Sequence, residues 1–258
     1  MPRFEELSRS KVPEVTLAFW IIKIAATTLG ETGGDAVSMT MDLGYALSTA
    51  IFFGLFVVVV TAQIRVRTFH PVLYWLVIVA TTTAGTTLAD FFDRSLGIGY
   101  IGGSLCLLAL LATVLAAWWF SQGSVSVNHI TSPTAEAFYW ATIFASNTLG
   151  TALGDFFADD TGLGYEGGAI VFLGLLALVA AAYYWTRLSH TLLFWAAFIL
   201  TRPLGATVGD LLDKPVADGG LALSRVTASL VLAGFMVLLI FVTPQRAGGH
   251  PGSRQLPT

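Results

Sequence analysis

Asp35, Asp90, Asp155 and Asp210 each stand fifteen residues after a tryptophan, namely Trp20, Trp75, Trp140 and Trp195. Stepping by four from each tryptophan returns to nearly the same helical face, because each residue turns about 100°. The first face carries Lys23, Thr27, Glu31 and Asp35, and the second Ile78, Thr82, Thr86 and Asp90. The third carries Ile143, Asn147, Thr151 and Asp155, and the fourth Phe198, Arg202, Ala206 and Asp210. Carboxylate, hydroxyl and amide oxygens are ligands for hard cations such as Mg²⁺, Mn²⁺ or Ca²⁺ rather than for copper or zinc. Four aspartates at equivalent helix ends would therefore form a metal-binding ring. Glu31 would exchange protons, with Lys23 and Arg202 as internal counter-charges and Thr27, Thr82 and Asn147 along the path.

Other readings of the same residues stand beside this one. Each aspartate lies where the helix dipole is already negative, so a shared cation would offset the repulsion. Alternatively, each turns to cap the segment that follows, a common aspartate role. Lys23 and Glu31 are about 12 Å apart along one helix, too far for a tight pair, but Arg202 could reach Glu31 across a bundle centre. That contact could be structural, or Arg202 and Lys23 could hold an organic solute or anion. Small residues flank the polar face (Gly30, Gly34, Gly85, Ala89, Gly150, Gly154, Gly205, Gly209). They permit close helix approach or leave room for an ion.

The elements that must carry these residues are membrane spans. The chain has 258 residues, 55% hydrophobic and only 11% charged, with a mean hydropathy of +0.75. A soluble domain has about 25% charged residues. The net charge of −3 excludes a nucleic-acid binder acting through bulk basic charge. The single cysteine, Cys106, lies in an apolar run, which excludes a disulfide framework or thiolate metal site. Apolar stretches long enough to cross a hydrocarbon core of ~30 Å fall at 15–37, 43–64, 70–92, 97–120, 134–157, 163–186, 190–212 and 220–243. Glu5 and Glu6 spoil a signal-peptide n-region. Pro203 follows Arg202 and predicts a kink in the seventh span.

The spans are organised as repeats. The pattern W-x9-G-x4-D-x8-G runs from Trp20 to Gly44, Trp75 to Gly99, Trp140 to Gly164 and Trp195 to Gly219, in steps of 55, 65 and 55 residues. The repeats cover about 11–66, 67–121, 131–186 and 187–243, with halves offset by 120 and a disordered tail at 244–258. Each repeat holds two spans, so all four run the same way about an axis along the membrane normal, unlike inverted transporter repeats. The expected fold is an all-α membrane protein of eight transmembrane helices, four parallel two-helix repeats in a pseudo-fourfold bundle. The polar first helices are central, and the apolar second helices, for example 46–60 and 105–115, face lipid. Gly44, Gly99, Gly164 and Gly219 serve the turn between them.

Residues 11–16 (KVPEVT), Trp20, Lys23, residues 27–31 (TTLGE) and Asp35 resemble a bacterial membrane-protein family of unknown function. It is built from tandem two-helix repeats, each with a characteristic tryptophan. The resemblance extends over about 11–243. It implies this fold and a bacterial inner-membrane location, and brings no activity with it.

With both termini on one side, that side holds Arg3, Arg9, Lys11, Arg65, Arg67, Arg187, Arg246 and Arg254, against Arg94, Lys214 and Arg225 on the other. The termini are therefore expected in the cytoplasm. All seven tryptophans (Trp118, Trp119 and Trp185 being the others) fall near that side, as an aromatic belt. The opposite connectors are acidic: Asp42, Asp93, Asp159, Asp160, Glu166, Asp213 and Asp218. A collar of His70, His190, Glu14 and Glu136 at the inner edge is weaker, since helix-end polarity explains it. His129 and His250 suggest no site. No Ser/His or Cys/His arrangement shares a depth, so the chain is not expected to be an enzyme. The leading expectation is a transporter or channel for a hard cation, with lipid and cation as partners and no resident cofactor beyond a possible bound divalent ion. A carrier of a small organic solute, and a sensor or scaffold, are the alternatives. A homo-oligomer is compatible with the sequence.

Overall fold

The computed structural model describes residues 10–127, 130 and 132–248. Arg3, Arg9, His129, His250, Arg254 and the tail from 249 lie outside the described residues. Eight long helices follow in chain order: α1 (Leu17–Asp35), α2 (Gly44–Arg65), α3 (Pro71–Asp90), α4 (Tyr100–Gln122), α5 (Pro133–Asp155), α6 (Gly164–Trp185), α7 (His190–Asp213) and α8 (Arg225–Val242). Six are long and apolar enough to span a membrane. The other two, α1 and α5, carry Lys23, Glu31 and Asp35, and Glu136, Asn147 and Asp155, all buried. These helices hide their polar side from lipid by packing it inward.

Helix α1 packs against α3, α3 against α5, α5 against α7, and α7 back against α1, closing an inner ring of four. The outer helices do not pack mainly on their own repeat's first helix. Instead, α2 lies on α3, α4 on α5, α6 on α7, and α8 returns to α1. Their outward sides are apolar and exposed, as at Val58, Leu105, Leu178 and Leu230. Each repeat thus covers its successor, and the fourth closes the circle.

Two side-chain patterns fix this ring. The aromatic residue before each repeat tryptophan packs on the tryptophan of the next repeat: Phe19 on Trp75, Tyr74 on Trp140, Tyr139 on Trp195 and Phe194 on Trp20, with centroids 5.5, 5.4, 6.2 and 5.8 Å apart. Trp75, Trp118, Trp140 and Trp195 are buried, so the belt expected of all seven tryptophans is corrected. Interhelical packing holds these four. Trp119 and Trp185, with Phe120 and Tyr184, are among the exposed aromatics at that end.

The second pattern explains the small residues. A Cβ on Gly30 would strike Thr82, one on Gly85 would strike Asn147 and Thr148, one on Gly150 Arg202, and one on Gly205 Thr27. Each glycine is the notch through which the polar side chain of the neighbouring helix reaches the axis. The notches serve close approach. After Asp35, Asp90 and Asp155 the chain continues into π-helical turns, Ala36–Thr40, Phe91–Ser95 and Phe156–Asp160. The fourth repeat departs because Pro215 has no N–H to donate to a turn there; α7 ends at Asp213 and Leu221 N–H donates to Leu211 C=O at 2.7 Å. Gly44, Gly99, Gly164 and Gly219 all have φ between 66° and 87°, the left-handed turn that glycine adopts freely.

Candidate functional site

The inner ring encloses an axis of stacked layers. At the end where Ser10 and Gly248 meet, Phe19, Tyr74, Tyr139 and Phe194 close it, with the two tyrosine hydroxyls 2.6 Å apart. Above them lie Ile78, Ile143 and Phe198, all fully buried. Lys23 shares this level. Its ammonium donates to Asn147 Oδ1 at 3.4 Å and sits 4.2 Å from the centre of the Phe198 ring. Asn147 Nδ2 in turn donates to Thr81 Oγ1 at 3.1 Å.

Thr27, Thr82, Asn147 and Arg202 make the next level. Thr27 Oγ1 donates to backbone carbonyls of Ile24 and Thr201 at 2.8 and 3.1 Å. It acts here as a helix-packing group. Arg202, fully buried, carries its guanidinium one layer further. There Nη2 pairs with Glu31 Oε2 at 2.7 Å and donates to the hydroxyls of Thr86 and Thr151. It so touches the equivalent positions of the three other repeats. The contact between Arg202 and Glu31 across the centre is as the sequence allowed. Helix α7 runs on through Pro203. Arg202 Nε and Nη1 and Thr82 Oγ1 are buried without a hydrogen-bond partner among the described residues.

The four aspartates sit at the far end of the axis, each 2% exposed. Asp35, Asp90 and Asp155 make no capping bond to the turns that follow, so the capping alternative is set aside for them. Their partners are two bases assigned by sequence to connectors. Lys214 Nζ lies 2.6 Å from Asp35 Oδ2 and 3.0 Å from Asp210 Oδ1. Arg94 lies 3.1 Å from Asp90 through Nε and 3.5 Å from Asp155 through Nη2. Both bases follow their own aspartate by four residues, which keeps them on the same face as the helix or π turn continues. The odd-numbered repeats have Met39 and Asp159 there instead.

One side of this end is richer in carboxylate. Glu31, Asp35 and Asp210 bring one oxygen each to within 4.8 Å of one another. Arg225 adds a longer contact to Asp35 at 3.8 Å and pairs with Asp213 at 3.4 Å. Burial opposes the charge on Lys214, but the Asp210 and Asp35 carboxylates outweigh it and raise its pKa above the ordinary lysine value. The other side has Asp159 4.0 Å from Arg94, with the Tyr100 hydroxyl donating to Asp159 at 3.0 Å. Of the expected acidic connector residues, Asp93 and Asp213 are in fact buried.

The collar of His70, His190, Glu14 and Glu136 is not assembled. His70 accepts from Leu73 N–H at the start of α3, at 3.4 Å. His190 is exposed beside the Tyr183 ring, and Glu14 is exposed. Glu136 is buried against the Lys11 ammonium. Sequence reasoning missed Arg94 and Lys214. Their i+4 spacing from Asp90 and Asp210 was the available signal.

A family profile described as a Repeat of Unknown Function (DUF347) matches residues 18–69, 73–124, 138–189 and 193–244. No curated protein and no solved structure matches the chain. Four tandem matches that span the helical bundle place the chain in the DUF347 repeat family, as a multi-pass membrane protein with four copies of the unit.

Proposed function

We propose that the protein is a transporter or channel for a hard cation, with Glu31, Asp35 and Asp210 as the cation seat. The carrying observation is that three buried carboxylates from two adjacent inner helices converge within 4.8 Å. In the resting arrangement Lys214 holds the seat as a tethered cation. A cation arriving from the far side exchanges with its ammonium. Glu31 is already balanced by Arg202, so departure of Lys214 leaves mainly the charges of Asp35 and Asp210. A divalent ion matches these two charges, which favours Mg²⁺- or Mn²⁺-like substrates over K⁺ or Na⁺. Lys23, deeper on the axis, is the counter-charge that hinders passage of a second ion, and Glu31 is the proton-exchanging group. The inner membrane of a bacterial cell, with the termini in the cytoplasm, fits the lysine and arginine excess on the terminal side.

The test is uptake of Mn²⁺, Mg²⁺, Ca²⁺, Na⁺ and K⁺ into vesicles containing the purified protein, beside Asp35→Asn/Asp210→Asn. Saturable flux of one divalent ion that vanishes in the double variant supports the reading. No flux for any of them overturns it.

A second reading rests on a different observation. Arg202 Nε and Nη1 and Thr82 Oγ1 have no hydrogen-bond partner among the described residues, close to the level of the fully buried Lys23. A small organic anion would satisfy these donors, and the protein would then carry such a solute. Under that reading Arg202→Lys weakens solute binding, whereas Asp35→Asn leaves it unchanged.

A further inference from the structure

The end of the axis where Ser10 and Gly248 meet is covered by three chain segments that belong to no transmembrane helix. Ser10 donates through Oγ to Val127 C=O at 2.7 Å, and Lys11 N–H donates to Ile130 C=O at 3.4 Å. Pro13 bridges Ala247, Glu14 N–H donates to Arg246 C=O at 2.8 Å, and Gly248 N–H donates to Val12 C=O at 2.8 Å. The cover is tied down to two repeat tryptophans. Trp75 Nε1 donates to Gln245 Oε1 at 3.2 Å and Trp195 Nε1 to Val125 C=O at 2.9 Å. Val12, Val127 and Ile130 are buried in the same core as the aromatic layer of Phe19, Tyr74, Tyr139 and Phe194.

One charged side chain adds a further tie between this cover and the bundle. The Lys11 ammonium donates to the carbonyls of Gln63, Ile64 and Val66 at 2.9, 3.3 and 2.7 Å, filling the C-terminal acceptors of α2. It also pairs with Glu136 in the first turn of α5. Lys11 therefore joins the outer helix of the first repeat to the inner helix of the third.

We infer that residues 10–13, 125–127, 130 and 245–248 form a gate over the axis, latched by Lys11 on Glu136 and the end of α2. The inference rests on the axis being the permeation path, and the latch itself can be tested without any flux. In a Cys106→Ser background, Val12→Cys reports lifting of the cover through its reaction with a membrane-impermeant maleimide applied from the terminal side. Labelling is slow with Lys11 present. It rises by about tenfold or more in Lys11→Met, the ratio that loss of one charge-assisted hydrogen bond gives, and falls back in Lys11→Arg. Equal labelling rates with Lys11 and Lys11→Met overturn the latch, whether or not any cation is transported. A second arm uses Pro13→Cys/Ala247→Cys, whose bridge pairing suits a disulfide. Oxidation is expected to stop cation flux and reduction to restore it. Unchanged flux in the oxidised protein overturns the gate. Absence of flux even in the reduced protein counts against cation transport instead, while the labelling result still decides the latch.

Discussion

Asp35 and Asp210 share Lys214, whereas Asp90 and Asp155, at the equivalent positions of the other two repeats, share Arg94. The helices that carry them form a ring of four, yet the charge is arranged in two unlike halves. Arginine presents a planar, permanently charged fork that locks onto carboxylates, whereas lysine is a compact, strongly hydrated charge on a flexible stem. Glu31 adds a third carboxylate on the lysine side, while the equivalent position of the third repeat is Thr151. Repetition builds the frame, and departures from repetition at Glu31, Arg94, Arg202 and Lys214 make the charge unequal around it. On the proposed reading the lysine half is the one suited to exchange, because the third carboxylate, Glu31, gathers there.

The largest effect is expected where the two halves meet. Arg202→Met leaves Glu31 buried without its base, and removal of one partner from a buried pair costs about 3–5 kcal/mol. Thermal unfolding in detergent should show this loss, and the Glu31→Gln/Arg202→Met double variant should recover much of it. A double variant as unstable as the single one would show that Arg202 acts mainly through Thr86 and Thr151.

Next come the two bases. Lys214→Met and Arg94→Met should both lower the melting temperature. Mn²⁺ should rescue only Lys214→Met, by about 2.7 kcal/mol at a concentration 100 times its Kd. Rescue of both variants alike would erase the distinction between the halves.

Smaller effects test the frame. Gly205→Ala would push a methyl into Thr27, whereas Gly174→Ala on α6 meets nothing within 4 Å. Overpacking should cost about 1–3 kcal/mol at the first position. The second should be neutral or gain a few tenths up to about 1 kcal/mol. Smallest of all, Tyr74→Phe removes one partner of the 2.6 Å hydroxyl contact with Tyr139 and should cost about 1 kcal/mol. Unfolding midpoints measure each.

Spacing made the frame legible. The recurring Trp, Gly and Asp declared four parallel units, and the step of four placed Glu31, Arg202 and the aspartates on inward faces. Arg94 and Lys214 fall beyond the apolar runs, where a span count assigns them to connectors, and only their i+4 spacing from Asp90 and Asp210 signals the pairing. The π turn after Asp90 and the extra α turn after Asp210 carry them back over the ring. The Phe19–Trp75 type of clasp joins residues 56 apart in sequence, and tryptophan position alone suggested the interface instead. Lys11 was read as one more positive charge on the inner side, since nothing local signals a lysine that caps α2 from 52 residues away.

The central claim is that the lysine half of the ring is a cation seat and the arginine half is not. The direct measurement is divalent-cation flux in vesicles for Asp35→Asn and for its counterpart Asp155→Asn, each against the unaltered protein. Asp35→Asn is expected to abolish flux and Asp155→Asn to retain most of it. Equal loss in both, or full flux in Asp35→Asn, would contradict it.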